Sequence, residues 1–163
     1  MEDFNNIRVG MADAKVIKYP GKLHTIGLGS CVGIALYDVD TKISGLAHIM
    51  LPFSSITVHN TNKFKFADTG IEMLINMMEE IGAKRKKIVS KIAGGAQMFS
   101  SKVNLDIMNI GNRNVVATKE VLNEFNIPLI SEDTGGNYGR TIEFNSNDGK
   151  MFIKTIGHGI KFI

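Results

Sequence analysis

Apolar positions recur at two spacings along this chain, and the spacing sorts it into strands and helices. Alternation in "IRVGMADAKVIK" (7 to 18) predicts one strand, and "KLHTIGLG" (22 to 29) a second. "VGIALYD" (32 to 38) and "KISGLAHIML" (42 to 51) are denser in apolar residues, and the polar "DVDT" between them makes the pair a hairpin. "SSITVHNTNKFKF" (54 to 66) has no regular period. Helical spacing follows in "ADTGIEMLINMMEEIGAK", where Ile71, Leu74, Ile75, Met78 and Ile81 share a face. Asp68 or Thr69 is expected to cap that helix and Gly82 to end it. "KKIVSKIAGGA" (86 to 96) reads as a strand entering a glycine turn. "NRNVVATKEVLNEFNI" (112 to 127) reads as a second helix, its partly buried face formed by Val115, Val116, Lys119, Leu122 and Phe125. "IPLISEDTGG" is a short strand and loop, and "RTIEFNSNDGKMFIKTI" (140 to 156) a hairpin with "NDG" as its turn.

Strands therefore dominate both ends, with a βα pattern between them. This predicts an α+β domain, a mixed sheet or sandwich with two helices covering one side, as a single domain over residues 1–163. Met73, Met77 and Met78 fall at helical spacing and read as core filler.

Composition narrows the classes of function. The chain is 44% hydrophobic and 21% charged, near the average for a globular protein. No apolar run approaches the roughly 20 residues of a membrane span. "MEDFNNIRVG" carries two acids and no apolar block, unlike a secretory signal. One cysteine forms no internal disulfide and no cysteine-rich zinc site. A cytoplasmic location without membrane insertion is the expectation. The net charge of +3 is mild, and the densest basic cluster, "AKRKK" (83 to 87), reads as a solvated helix end rather than a nucleic-acid site.

The lone cysteine, Cys31, stands in "TIGLGSCVGIALYD" (25 to 38), behind Gly27 and Gly29. It is either a small hydrophobe filling a gap or a nucleophile. A nucleophilic thiol needs a base, and the hairpin offers one. If its turn centres between Val39 and Asp40, paired residue numbers sum to 79, and Cys31 faces His48. Directly opposed residues share a face with Cβ atoms about 4.5–5.5 Å apart, whereas a one-residue slip would put His48 on the other side. Thr25 can return through "IGLGS" to orient the imidazole by its hydroxyl or its carbonyl. The Cys31 N–H and a neighbouring donor can face an oxyanion. Such a set supports acyl transfer or amide hydrolysis through a thioester. His24, beside Thr25, is a rival base. "GLGSC" lacks the GxGxxG spacing of a dinucleotide site.

"VGMADAKV", "TIGLGSCVGIALYD", "GLAHIMLP", "FADTGIEMLINMMEEIGA", "AGGAQMF", "IGNRNV" and "EDTGGNYGRTIEF" resemble, in order, the chemoreceptor glutamine deamidase family CheD. The resemblance implies a β-sandwich with helices packed outside. It implies a catalytic Cys31, His48 and Thr25, no metal or organic cofactor, and conversion of chemoreceptor glutamines to glutamate with release of ammonia. Its implied partners are the cytoplasmic helices of chemoreceptors, as substrate, and the phosphatase CheC. Rim positions would include His59, Phe64 and Phe66, together with Phe99, which is either a core plug or an exposed anchor. Arg140 would bind an acidic receptor residue or brace the turn before the last hairpin, the second reading being preferred. His158 is expected to be structural or exposed. A non-catalytic module that binds CheC, and a methylesterase or transglutaminase using the same thiol, are the alternatives.

Overall fold

The computed structural model describes residues 6–59, 62–98 and 109–163. Its strands form two five-stranded sheets. One sheet has the order β1 (Asn6–Arg8), β3 (Lys22–Leu28), β8 (Arg140–Asn145), β9 (Met151–Thr155) and β10 (Gly159–Phe162). The other runs β2 (Asp13–Ile17), β5 (Ser44–Ile49), β4 (Val32–Asp38), β6 (Ile88–Gly94) and β7 (Leu129–Thr134). Each is mixed: β1 runs parallel to β3 and β6 to β7, while the other pairings are antiparallel.

Alternation along β4 shows how the layers stack. Val32, Ile34 and Leu36 join a core with the helices, while Cys31 and Ala35 join a separate core with Leu23, Leu28, Ile142, Phe144 and Ile153 of the first sheet. The second sheet is thus the middle layer, apolar on both faces, which is why β4 and β5 read as nearly continuous apolar runs. Helices α1 (Ala67–Glu80) and α2 (Ile110–Glu124) cover its outer face. The expected α+β sandwich with external helices is the observed architecture. Among the described residues, no helix is long and apolar enough to cross a membrane.

Several local expectations are corrected. The strand expected over 7–18 is two strands in different sheets, separated by a turn in which Ala12 has φ +53°. The last strand, β10, was not anticipated, because its four residues are all exposed and carry no burial pattern. Neither Asp68 nor Thr69 caps α1, which begins after Phe66 without a side-chain cap. The Asp68 carboxylate instead accepts from the Ser54 N–H (3.0 Å) and hydroxyl (2.8 Å), and the Thr69 hydroxyl donates to Lys63 O, so both tie the irregular segment to the helix. Gly82 does end α1: its N–H reaches Glu79 O and the Ala83 N–H reaches Met78 O, a Schellman arrangement that needs the positive φ of Gly82. In α2 the buried face includes Asn114, Thr118 and Val121, while Val116 is exposed and Lys119 pairs with Glu132 at the surface.

Candidate active site

Cys31 immediately precedes β4, and His48 is the fifth residue of β5. The β4–β5 ladder pairs Val32 with Ile49 and Gly33 with His48. Paired numbers therefore sum to 81, not 79, because the connection is longer than expected. Asp38 N–H donates to Ile43 O, Lys42 N–H donates to Asp38 O, and Lys42 has φ +61°. The Asp38 carboxylate holds this turn by accepting from the N–H groups of Asp40 (2.8 Å), Thr41 (3.1 Å) and Lys84 (2.7 Å). Correction of the register by two residues preserves the face. Cys31 and His48 are diagonal neighbours rather than opposed ones, and both look toward the first sheet.

From that sheet Thr25 of β3 reaches across. Its Oγ1 lies 2.7 Å from His48 Nδ1 and 2.7 Å from Val9 O. A hydroxyl has one hydrogen to give, and Val9 O is only an acceptor. Thr25 therefore donates to Val9 and accepts from His48 Nδ1–H. This assignment leaves Nε2 without a proton. Nε2 is buried and has no hydrogen-bond partner among the described residues. Burial pushes the His48 pKa down from 6.5 to about 4, and burial also pushes the Cys31 thiol up. The Cys31 N–H acts in the opposite direction on the thiol, but more weakly. At neutral pH the resting pair is a neutral thiol and a neutral imidazole.

Between Thr25 and Cys31 the chain leaves its ladder. The β3–β8 register shifts between Thr25 and Leu28, and Gly27 has φ +74°, which a larger side chain tolerates poorly. Three consecutive carbonyls of the cysteine loop are then fixed. Gly29 O accepts from Ala96 N–H (2.9 Å), Ser30 O from Asn114 Nδ2 (2.9 Å) and Cys31 O from Gly95 N–H (2.8 Å). Among the described residues, the N–H groups of Ser30 and Cys31 donate to no other residue's acceptor.

The remaining candidates separate cleanly. Arg140 lies inside the fold, not on a rim: its guanidinium donates to the Asp133 carboxylate (3.3 and 3.4 Å) and to Gly94 O (3.4 Å), and lies over the Tyr138 ring. Lys161 joins Asp133 at 3.0 Å. This is the bracing arrangement, and it supports the strand that leads to Gly95. Phe66 is buried, Phe64 is half-buried against the core that the helices cover, and His59 is exposed. Phe99 lies outside the described residues. His24 is on the other side of β3 from Thr25 and bonds Asn6 Oδ1 at 2.7 Å, and His158 stacks on Tyr138. Asn114 was missed by sequence reasoning, since a polar residue within an apolar stripe gives no periodic signal.

Residues 50–155 match the family model described as CheD chemotactic sensory transduction. The probable chemoreceptor glutamine deamidase CheD of Caldanaerobacter subterraneus subsp. tengcongensis is 68% identical over 157 residues, covering 96% of this chain and 97% of that one. The chemoreceptor glutamine deamidase CheD of Bacillus licheniformis is 48% identical over 158 residues, covering 96% of this chain and 94% of that one. This chain belongs to the CheD family. The family-model match begins two residues after His48. The long similarity to the two CheD relatives runs over the segment that carries Thr25, Cys31 and His48 as well.

Proposed function

We propose that this CheD-family protein deamidates glutamine side chains of chemoreceptors through Cys31, with His48 as base and Thr25 as the residue that orients it. The observation that carries the reading is the hydrogen bond from His48 Nδ1–H to Thr25 Oγ1. It leaves the buried Nε2 unprotonated and without a hydrogen-bond partner among the described residues, on a side chain that shares its sheet face with Cys31.

Because both groups rest neutral, the proton moves as the bond forms. Cys31 Sγ attacks the carboxamide carbon while its proton passes to His48 Nε2. The negative charge that develops on oxygen is met by the N–H groups of Cys31 and Ser30, which among the described residues donate to no other residue's acceptor. Collapse of the tetrahedral adduct breaks the C–N bond, and His48 returns the proton to the leaving nitrogen, releasing ammonia and a thioester. Water then attacks the thioester carbon, His48 takes its proton, and the C–S bond breaks to leave glutamate and the restored thiol. The net change is glutamine plus water to glutamate plus ammonium. No step calls for a cofactor.

The substrate glutamine is presented on a receptor's cytoplasmic helix, which places the protein in the cytoplasm. CheC is proposed as the regulatory partner. Ammonia release from a purified receptor cytoplasmic fragment tests the reading. Wild type should release it, and Cys31→Ala should abolish it. His48→Ala should slow it by about 10²–10⁴-fold. Equal release by wild type and Cys31→Ala would overturn the assignment.

A further inference from the structure

Helix α2 contributes a side chain that the reaction above does not use. Asn114, in the "IGNRNV" stretch, is fully buried. Its Nδ2 donates to Ser30 O and to Met50 O, both at 2.9 Å. Ser30 precedes the nucleophile, and Met50 stands two residues beyond the base. A primary amide has two N–H donors, and here each grips one of the two segments that make up the site. The Oδ1 of the same amide is buried with no hydrogen-bond partner among the described residues. Leaving an acceptor in that state is unfavourable, so packing alone would favour an apolar side chain of similar size. The two donors account for an amide at this position.

The neighbouring backbone holds the helix close enough for this reach. Gly111 lies against Gly95 O and Ala96 O, so closely that a Cβ would collide with the Ala96 carbonyl. Gly95 and Ala96 are themselves the residues whose N–H groups hold Cys31 O and Gly29 O. Helix α2, the glycine turn and the cysteine loop thus form one connected unit, and the Asn114 amide hydrogen-bonds it to Met50, just beyond the strand of the base.

We infer that Asn114 is a positioning residue, whose amide clamps the Cys31 loop to the His48 strand and sets the approach of Sγ to Nε2. The inference rests on the Cys31–His48 reading, so its test includes a readout that needs no receptor. Alkylation of Cys31 by iodoacetamide is measured on the full chain in wild type, His48→Ala, Asn114→Leu and the double variant. His48→Ala should slow alkylation about tenfold in the wild-type background and by less than about twofold in the Asn114→Leu background, since contacting groups couple non-additively. An undiminished His48 effect in folded Asn114→Leu would overturn the clamp, whether or not the receptor reading holds.

Asn114→Asp provides a second, isosteric probe. Ionised, it has no donor and opposes two carbonyl oxygens; protonated, it regains one donor. Receptor deamidation by this variant should show kcat about 10–100-fold down at pH 8 with KM within about twofold, and should recover as pH falls toward 6. Wild type should stay flat over that interval. A loss that follows the melting temperature and ignores pH would contradict a positioning role. If neither variant folds, NMR of the wild-type side-chain amide decides. Both Asn114 Nδ2 protons should exchange slowly and shift when Cys31 is alkylated, and fast exchange or unmoved resonances would refute the clamp.

Discussion

At the scale of single residues, the site depends on which nitrogen of His48 holds a proton. Thr25 settles this by giving its hydroxyl hydrogen to Val9 and receiving the Nδ1–H. Thr25→Val removes the acceptor and should lower kcat by about 10²-fold or more, whereas Thr25→Ser should retain most activity; steady-state ammonia release distinguishes them. Burial of His48 also has a pH consequence. The unfolded chain binds a proton below about pH 6.5, but the folded chain binds it only near pH 4. Stability from this group is therefore complete above pH 6.5 and declines as pH falls toward 4, by on the order of 3 kcal/mol. Urea unfolding across that range should show the slope in wild type and a flatter one in His48→Ala. Activity should hold well below pH 6.5 for the same reason, its acid limb falling near the depressed His48 value. Cys31, His48 and Thr25 could be singled out in the sequence as a proposed nucleophile, base and orienting hydroxyl because these residue types are chemically distinctive, and the structure joins Thr25 to His48. Asn114 could not be singled out, because its contribution comes from two backbone carbonyls contributed by distant segments.

At the scale of elements, the hairpin and α2 place those residues. The pairing of Cys31 with His48 was off by two because "DVDT" does not reveal that the Asp38 carboxylate would organise a longer turn. The shared face survived because the error was even. Apolar spacing located α1 and α2 well, yet it assigned Val116 and Lys119 to the inner face of α2, where Asn114 and Thr118 actually lie. Periodicity finds apolar stripes and passes over buried polar groups whose partners come from elsewhere in the chain. The close seating of α2 supplies a test in which two effects compete. Replacement of Gly111 by Ala favours helix formation by about 1 kcal/mol. Its Cβ would also collide with the Ala96 carbonyl, and overpacking of this kind costs about 1–3 kcal/mol. Gly111→Ala should therefore lower the melting temperature, and because Ala96 anchors the cysteine loop, it should reduce deamidation as well.

At the scale of the whole molecule, the site lies between two sheets and needs both held in place. Thr25 comes from one, Cys31 and His48 from the other. Arg140 of β8 and Asp133 of β7 join those sheets near Gly94, with Lys161 of β10 added at the edge. Burial alone would raise the Asp133 pKa, but hydrogen bonds from Arg140 and Lys161 outweigh it and hold the carboxyl below the usual range. Asp133→Ala leaves the Arg140 guanidinium buried without its carboxylate and should cost about 3 kcal/mol or more, read by denaturant unfolding. Strands at both ends of the chain left a single mixed sheet or a sandwich open, and the two-sheet plan was implied by the family resemblance. The crossing at Ala12 was not legible, since "IRVGMADAKVIK" alternates without a break that marks a change of sheet. The central claim is that Cys31, His48 and Thr25 hydrolyse a receptor carboxamide through a thioester. Peptide mass spectrometry of a receptor cytoplasmic fragment, incubated with the protein in heavy-oxygen water, tests it most directly. The account predicts glutamines converted to glutamates that carry the heavy oxygen, with wild type and not with Cys31→Ala. Every glutamine left intact by wild type on a competent receptor fragment would contradict it.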